Sequence, residues 1–230
     1  MRDAEAGLEV LLLRRNRHAG FVPRMYVFPG GRVDDSDSDP ATLAHLDHLS
    51  SATAAQRLDL TNANPPAIAY YLAALREAFE ETGILVAALE NGSFPPTASE
   101  DPAVDRIRDE LMEDRIGFAD ALAHLDCRVS GDRLLYFAHW ITPRREPRRF
   151  DARFFAARVA ADSTPIVDPR EMTDALWITP TLALERHARS DLPMILPTVH
   201  TLGRLCDFGT SEEALEALAR DTVVTILPDD

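Results

Sequence analysis

The sequence predicts an α/β fold, with short strands packed against amphipathic helices. Three observations predict it. An alternating stretch that runs into "LEVLLL" lies near the start, one long amphipathic helix pattern spans 65–82, and two aromatic strand patterns at 132–142 and 150–159 precede three helical stretches. No repeat or low-complexity tract interrupts this order. Residues 1–230 therefore read as a single domain, with a helical insertion at about 32–66 and a helical extension at about 181–222.

Residues 7–16, "GLEVLLLRRN", are bounded by Gly7 and Asn16 and read as a strand, the second of a hairpin. "MYVFPGG" at 25–31 is a short strand stopped by Pro29 and two glycines. In "RVDDSDSDP", Asp35, Asp37 and Asp39 alternate as in a calcium loop, but Pro40 stands where that loop needs glycine and no glutamate closes it. Asp39 followed by Pro40 instead reads as a helix start, and "ATLAHLDHL" and "ATAAQRL" as two short helices. Asn64 and Pro65 repeat that start signal for the helix at 65–82.

On that helix Ile68, Leu72, Leu75 and Phe79 fall within about 60° of one another, which marks the core face. Glu77, Glu80 and Glu81 fall within an arc of about 100° on the other side. Arg76 lies between the arcs, four residues before Glu80 and able to pair with it. Gly83 ends the helix as a C-cap, and "ILVAAL" resumes as a strand or a short buried segment. Residues 100–125 read as a helix pair bent around Gly117, and the basic loop "PRREPRR" joins the two aromatic strands. "ALWIT" is a last short strand, followed by helices near 181–188, 197–207 and 211–220.

The formal net charge of −14 and a pI near 4.9 exclude a general nucleic-acid binder and an anionic-membrane surface protein, because phosphates would meet a repulsive mean field. A small phosphorylated ligand remains compatible where metal ions or local arginines reverse that field. Cys127 and Cys206 are too few and too far apart for a disulfide framework or a zinc site, and read as buried thiols. No apolar run reaches the roughly 18 residues of a membrane span. "MRDAEAGLEV" lacks a signal-peptide stretch and "ILPDD" carries no retention or peroxisomal address, so the expected location is the cytoplasm.

Three carboxylates on one helical face suit either a solvated surface or a cation. The arginine among them, the terminal glycine and the preceding Phe-Pro-Gly-Gly turn favour the cation. "GG" followed by "REAFEETGI" resembles the signature of the Nudix hydrolases, with Arg76, Glu77, Ala78, Glu80, Glu81, Gly83 and Ile84 matching in order. Gly31 and Arg76 stand 45 positions apart where the signature has 14, so about 31 residues are inserted. Counted back from Arg76, the signature's first glutamate falls on Ile68, and an acid from the insertion would have to replace it. A split motif of this kind resembles the branch that includes the peroxisomal coenzyme A diphosphatase of mammals, as do "FPGGRVDDSD", "AHWITP" and "RRFDARFF".

The resemblance implies an α/β/α sandwich with a mixed sheet, and a hydrolase that cuts the diphosphate bond of a nucleoside diphosphate derivative with Mg²⁺ or Mn²⁺. Coenzyme A or acyl-CoA is the favoured substrate; ADP-ribose or NADH is the alternative of the same chemistry, and a Nudix-like binding domain without hydrolysis is the rival. The metal ligands it implies are Glu77, Glu80, Glu81 and the Gly31 carbonyl. Catalysis falls to Glu81 first, with Glu80, Arg76 and, for the general base, Glu171 in "DPREMTDALW" beside Glu80 or Glu81; Asp174 competes with Glu171. Arg153, Arg149 and Phe150 are the candidates for substrate contact, with Arg144, Arg145 and Arg148 open between phosphate clamp and solvated hairpin. His139 and Trp140 read as core residues. Members of the superfamily are often dimers, which leaves a homodimer open.

Overall fold

A computed structural model describes residues 1–89 and 91–228, so the last two residues of "ILPDD" lie outside it. Strand β2 (Gly7–Arg15) shows why this chain folds around its first apolar run. Leu8, Val10 and Leu12 point into one apolar cluster and Leu11 and Leu13 into another, so the period-two alternation buries both faces. The strand is consequently central. It pairs antiparallel with β1 (Arg2–Ala4), with β3 (Tyr26–Val27) and with β8 (Met172–Ile178). A second sheet runs β7 (Asp151–Ala156), β6 (Leu135–Ile141), β9 (Thr225–Ile226), with β6 antiparallel to β7 and parallel to β9. β1 supplies the first strand of the hairpin to which β2 belongs.

Helix α3 (Ala67–Thr82) is the hub of the larger core. Ile68, Tyr71, Leu72, Leu75 and Phe79 are all buried, packed by α2 (Ser51–Leu58), α4 (Pro102–Met112) and α5 (Phe118–His124). Tyr71 meets Phe155 of β7 with ring centroids 4.7 Å apart, which fixes the second sheet against the helix. The chain closes with α6 (Pro180–Ala188), α7 (Leu196–Gly203) and α8 (Ser211–Arg220), of which α8 is closed by a capping box of Thr210 and Glu213. Among the described residues no helix is long and apolar enough to cross a membrane.

Several boundaries differ from expectation, each for a local reason. Helix α3 starts at Ala67 rather than at Pro65, because a residue followed by proline is pushed out of the helical region and Pro65 precedes Pro66. The first insertion helix, α1 (Pro40–Leu43), stops early, and β4 (Leu46–Asp47) pairs in parallel with β5 (Val129–Ser130). The carbonyls of His45 and Asp47 accept from Val129 and Gly131, and Arg128 grips Asp47 at 2.5 and 2.7 Å, so the insertion is not purely helical. "ILVAAL" is a buried segment with a single bridge, Ala88 to Arg128. Cys127 is buried but Cys206 is only half-buried, and both are free.

Candidate active site

The carboxylates sit on the last two turns of α3, and the way that helix ends positions them. Gly83 takes φ +68°, and its N–H closes on the Phe79 carbonyl at 2.8 Å. A Cβ there would also come within 2.6 Å of Ala98, so glycine is required twice over. From α4, Arg108 donates through Nε to the carbonyls of Phe79 and Glu80 at 3.2 and 2.9 Å, covering acceptors the helix end leaves free.

Arg76 is the centre of the arrangement, and all five of its N–H groups are engaged. Nε and Nη2 reach the two oxygens of Asp37 at 2.8 and 3.0 Å, a bidentate pair, and Nη2 also donates to the Arg32 carbonyl at 2.8 Å. Nη1 donates to Glu77 Oε1 at 3.2 Å and to Glu80 Oε2 at 3.0 Å. Asp34 adds a more distant, exposed charge at 3.4 Å. Burial alone would lower the Arg76 pKa, but the hydrogen bond and charge of Asp37, with Glu80 and Glu77, outweigh it and hold the guanidinium above its ordinary value. The arginine is thus a fixed cation that orients two carboxylates.

Asp37 was not singled out for this role by the sequence. The search for a first acid counted back from Arg76 to Ile68, which is a core residue, 4% exposed. Counted forward from Gly31, the sixth residue on is Asp37, where the signature puts its first glutamate. The insertion therefore falls after that acid and not before it. The alternation of aspartates that imitates a calcium loop is explained by the same contact, since Asp37 is wholly occupied by Arg76 and the backbone of Asp34.

The loop after β3 lies against the other two acids. Gly30 donates its N–H to Glu81 Oε2 at 2.7 Å, and Arg32 donates to Glu77 Oε1 at 3.0 Å. A Cβ on Gly31 would overlap the Glu77 carboxylate, so only glycine lets the loop come this close. Burial raises the pKa of all three glutamates. Glu80 is pushed up to about 7, the charge of Glu77 adding to burial and Arg76 opposing it. Glu81 is pushed up to about 8, with Glu77 and Glu171 adding to burial while the Gly30 N–H and Arg15 oppose it.

These acids fit a divalent cation by their chemistry. They are hard oxygen donors, and each uses only one oxygen toward the protein, leaving Glu77 Oε2, Glu80 Oε1 and Glu81 Oε1 without a donor among the described residues. Their raised pKa values mark a cluster with too little positive charge around it. Among the described residues no three His, Cys, Asp or Glu side chains are already gathered closely enough to hold one ion by themselves, and a hard cation completes its shell with carbonyls and water.

Other candidates fall at different distances from this centre. Glu171, in the loop before β8, is exposed and close enough to raise the Glu81 pKa; its backbone carbonyl accepts from Asn16 at 2.8 Å. Asp174 accepts from the Tyr26 hydroxyl at 2.9 Å. Arg153 is not brought to the acids: it donates to Asp151 at 2.6 Å and lies 4.7 Å over the ring of Tyr70, two turns before Glu77 on α3. Arg149 donates to the Thr142 carbonyl within the β6–β7 loop, Phe150 packs on Phe21 at 4.4 Å, and Arg148 reaches the Gly20 carbonyl. Both His139 and Trp140 are buried. Arg15 and Arg108 were missed, because nothing in their sequence neighbourhood announces a role at α3.

The model of the NUDT19 Nudix domain matches residues 2–205. The chain belongs to the Nudix family. Among its Nudix relatives, an acyl-coenzyme A diphosphatase NUDT19 of Xenopus laevis is 28% identical over 89% of this chain and 61% of its own length, so the chain spans under two thirds of that relative. The Homo sapiens protein of the same name is 28% identical over 97% of the chain and 72% of its own length. The crystal structure of a Nudix hydrolase from Alicyclobacillus acidocaldarius superposes with a TM-score of 0.74 at 26% identity, covering 94% of this chain and 91% of that one. The Nudix α/β fold expected from the split motif is the one observed.

Proposed function

We propose that this Nudix protein is a divalent-metal-dependent hydrolase that cleaves the diphosphate bond of coenzyme A or acyl-CoA. The observation that carries the reading is the Arg76 hub, which holds Glu77 and Glu80 beside Glu81 under a glycine loop. Glu77, Glu80 and Glu81 would hold the ion, with the Gly31 carbonyl as a further ligand and Mg²⁺ or Mn²⁺ as the ion. A bound divalent ion neutralises diphosphate charge and lowers the pKa of a water, which is the chemistry this bond requires.

The chain's own groups supply the rest. Arg76 keeps two carboxylates turned toward the site, so the acids are oriented before substrate arrives. The Gly30 N–H fixes one oxygen of Glu81 and leaves the other free. Glu171 is the general base of choice, because its side chain is exposed beside Glu81 and engaged by no partner among the described residues. Arg149, Arg153 and Phe150 keep a place only as more distant contacts of the substrate. The names of the Xenopus and human relatives support the coenzyme A class, with ADP-ribose and NADH as the alternative. A binding domain without hydrolysis loses its motive once Asp37 stands in for the acid that Ile68 lacks. We read residues 1–230 as one unit acting in the cytoplasm.

The test is phosphate-coupled hydrolysis of coenzyme A, ADP-ribose, NADH and diadenosine polyphosphates with Mg²⁺ or Mn²⁺, comparing wild type with Glu81→Gln. Cleavage of coenzyme A lost in the variant is the expected result. Wild-type protein that binds these ligands with the metal and leaves them uncut sinks the reading.

A further inference from the structure

The acidic chain gathers arginines around one cavity. A depression of about 450 Å³ beyond the end of β2 is lined by Arg14, Arg15, Arg17, Arg24 and His18, with Thr173 on its far wall. In a protein of net charge −14, no carboxylate pairs with any of these four arginines among the described residues. Their contacts are with neutral groups: Arg14 lies over the Tyr26 ring at 5.8 Å, Arg15 Nε donates to the Phe21 carbonyl, and Arg17 Nε donates to His18 Nε2. Arg24 is exposed at φ +64° and makes none of these bonds with its side chain. Acids are abundant elsewhere, so a cationic cavity left unpaired is a place prepared for an external anion.

Its position says which anion. The cavity adjoins the acidic centre, since Asn16, on the cavity wall, donates to the Glu171 carbonyl at 2.8 Å, and Arg14 pairs in register with Tyr26 of β3, whose following loop meets Glu81 through the Gly30 N–H. A substrate whose diphosphate lies on α3 would carry its next anionic group into the arginines. We propose that this cavity binds the ribose 3′-phosphate of the coenzyme A nucleotide, a dianionic phosphate monoester that guanidinium groups can clasp through paired N–H donors. The proposal rests on the coenzyme A reading and adds the part of the substrate that tells coenzyme A from dephospho-coenzyme A, ADP-ribose and NADH.

The experiment compares ligands that differ only in that phosphate. Calorimetric titration of wild type with adenosine 3′,5′-bisphosphate and with AMP should show the bisphosphate bound about 10-fold more tightly, the gain of one charge-assisted phosphate contact. The double variant Arg17→Ala/Arg24→Ala, both exposed side chains, should reduce that ratio to near one and leave AMP unchanged. Equal wild-type affinity for the two ligands, or a ratio the variant does not alter, overturns the proposal. So does inorganic phosphate that displaces the bisphosphate at equal concentration, which would make the cavity a free-phosphate site. Hydrolysis of coenzyme A and dephospho-coenzyme A separates this from the reading beneath it. A bisphosphate preference without cleavage of either keeps the cavity and rejects the hydrolase, whereas equal cleavage of both without the preference keeps the hydrolase and rejects the cavity.

Discussion

Two buried arginines brace the same end of α3, and they do so by opposite means. Arg76 directs its donors at Asp37, Glu77, Glu80 and one backbone carbonyl. Arg108 directs its Nε at the helix-end carbonyls of Phe79 and Glu80, has no partner for Nη2 among the described residues, and pairs with a half-exposed Asp105 only at 3.7 Å. Their pKa values move apart accordingly. Arg76 is held above its ordinary value, while burial draws Arg108 below it with only partial compensation from Asp105, Asp109, Asp168 and Glu80. One cation is matched by formal charge and the other by the negative end of a helix. The first sets where carboxylates point; the second sets where the helix stops.

Breaking the first partner has the largest expected effect. Arg76→Ala leaves Asp37, 1% exposed, without a counter-charge, so unfolding by urea should show about 3–5 kcal/mol lost and hydrolysis should vanish. Arg76→Lys keeps the charge but not the fork, and should recover part of the stability and little of the activity. Stability near wild type in Arg76→Ala would mean that Asp37 is protonated or hydrated in solution and that the hub is not its anchor.

Asp37→Asn comes next. It preserves shape and removes one charge, so it should cost about 1.5–3 kcal/mol and lower kcat more than it raises KM, because the oriented acids and not the substrate contacts are disturbed. Unchanged kcat would show that Glu77 and Glu80 orient Arg76 unaided. Arg108→Met should be milder still, about 1–2 kcal/mol, because it also removes the unpartnered Nη2, and activity should stay within about threefold. A loss of activity as large as that of Asp37→Asn would erase the distinction between the two arginines.

How much of this the sequence carries depends on whether a contact is local. Glu77, Glu80, Glu81, Arg76 and Gly83 lie within one helix and its cap, so periodicity alone reveals their shared face. The burial of Ile68, Leu72, Leu75 and Phe79 follows from the same period. Asp37 is 39 residues from Arg76, and its role is visible only if the spacing is counted from the glycine as well as from the arginine. Arg108 reaches α3 from a separate helix, and the unpaired arginines of the cavity are cationic in sequence without any sign that acids avoid them. The early stop of α1 was illegible for a like reason, since the carbonyls of His45 and Asp47 are claimed by residues 129 and 131.

The pH dependence of stability separates the two arginines once more. Glu80 at about 7 and Glu81 at about 8 both lie above the ordinary value of 4.5, so between those limits the native state holds protons that the unfolded chain has released. Stability of the metal-free protein should therefore fall as pH rises from about 5 to 8, and below about 4.5, where both states are protonated, it is fully present and no longer changes with pH on account of these groups. A divalent cation needs the ionised acids, so the rise in thermal midpoint on adding Mg²⁺ should be larger at pH 8 than at pH 6. Glu81→Gln should flatten the metal-free slope. Arg76→Lys should alter the slope, because Arg76 opposes the raised pKa of Glu80, whereas Arg108→Met should mainly shift the curve downward and alter the slope less, Glu80 being the smallest of the charges named as acting on Arg108. A metal-free midpoint independent of pH from 5 to 8 would mean that the acids are ionised throughout, and that Arg76 already supplies the charge assigned here to the metal.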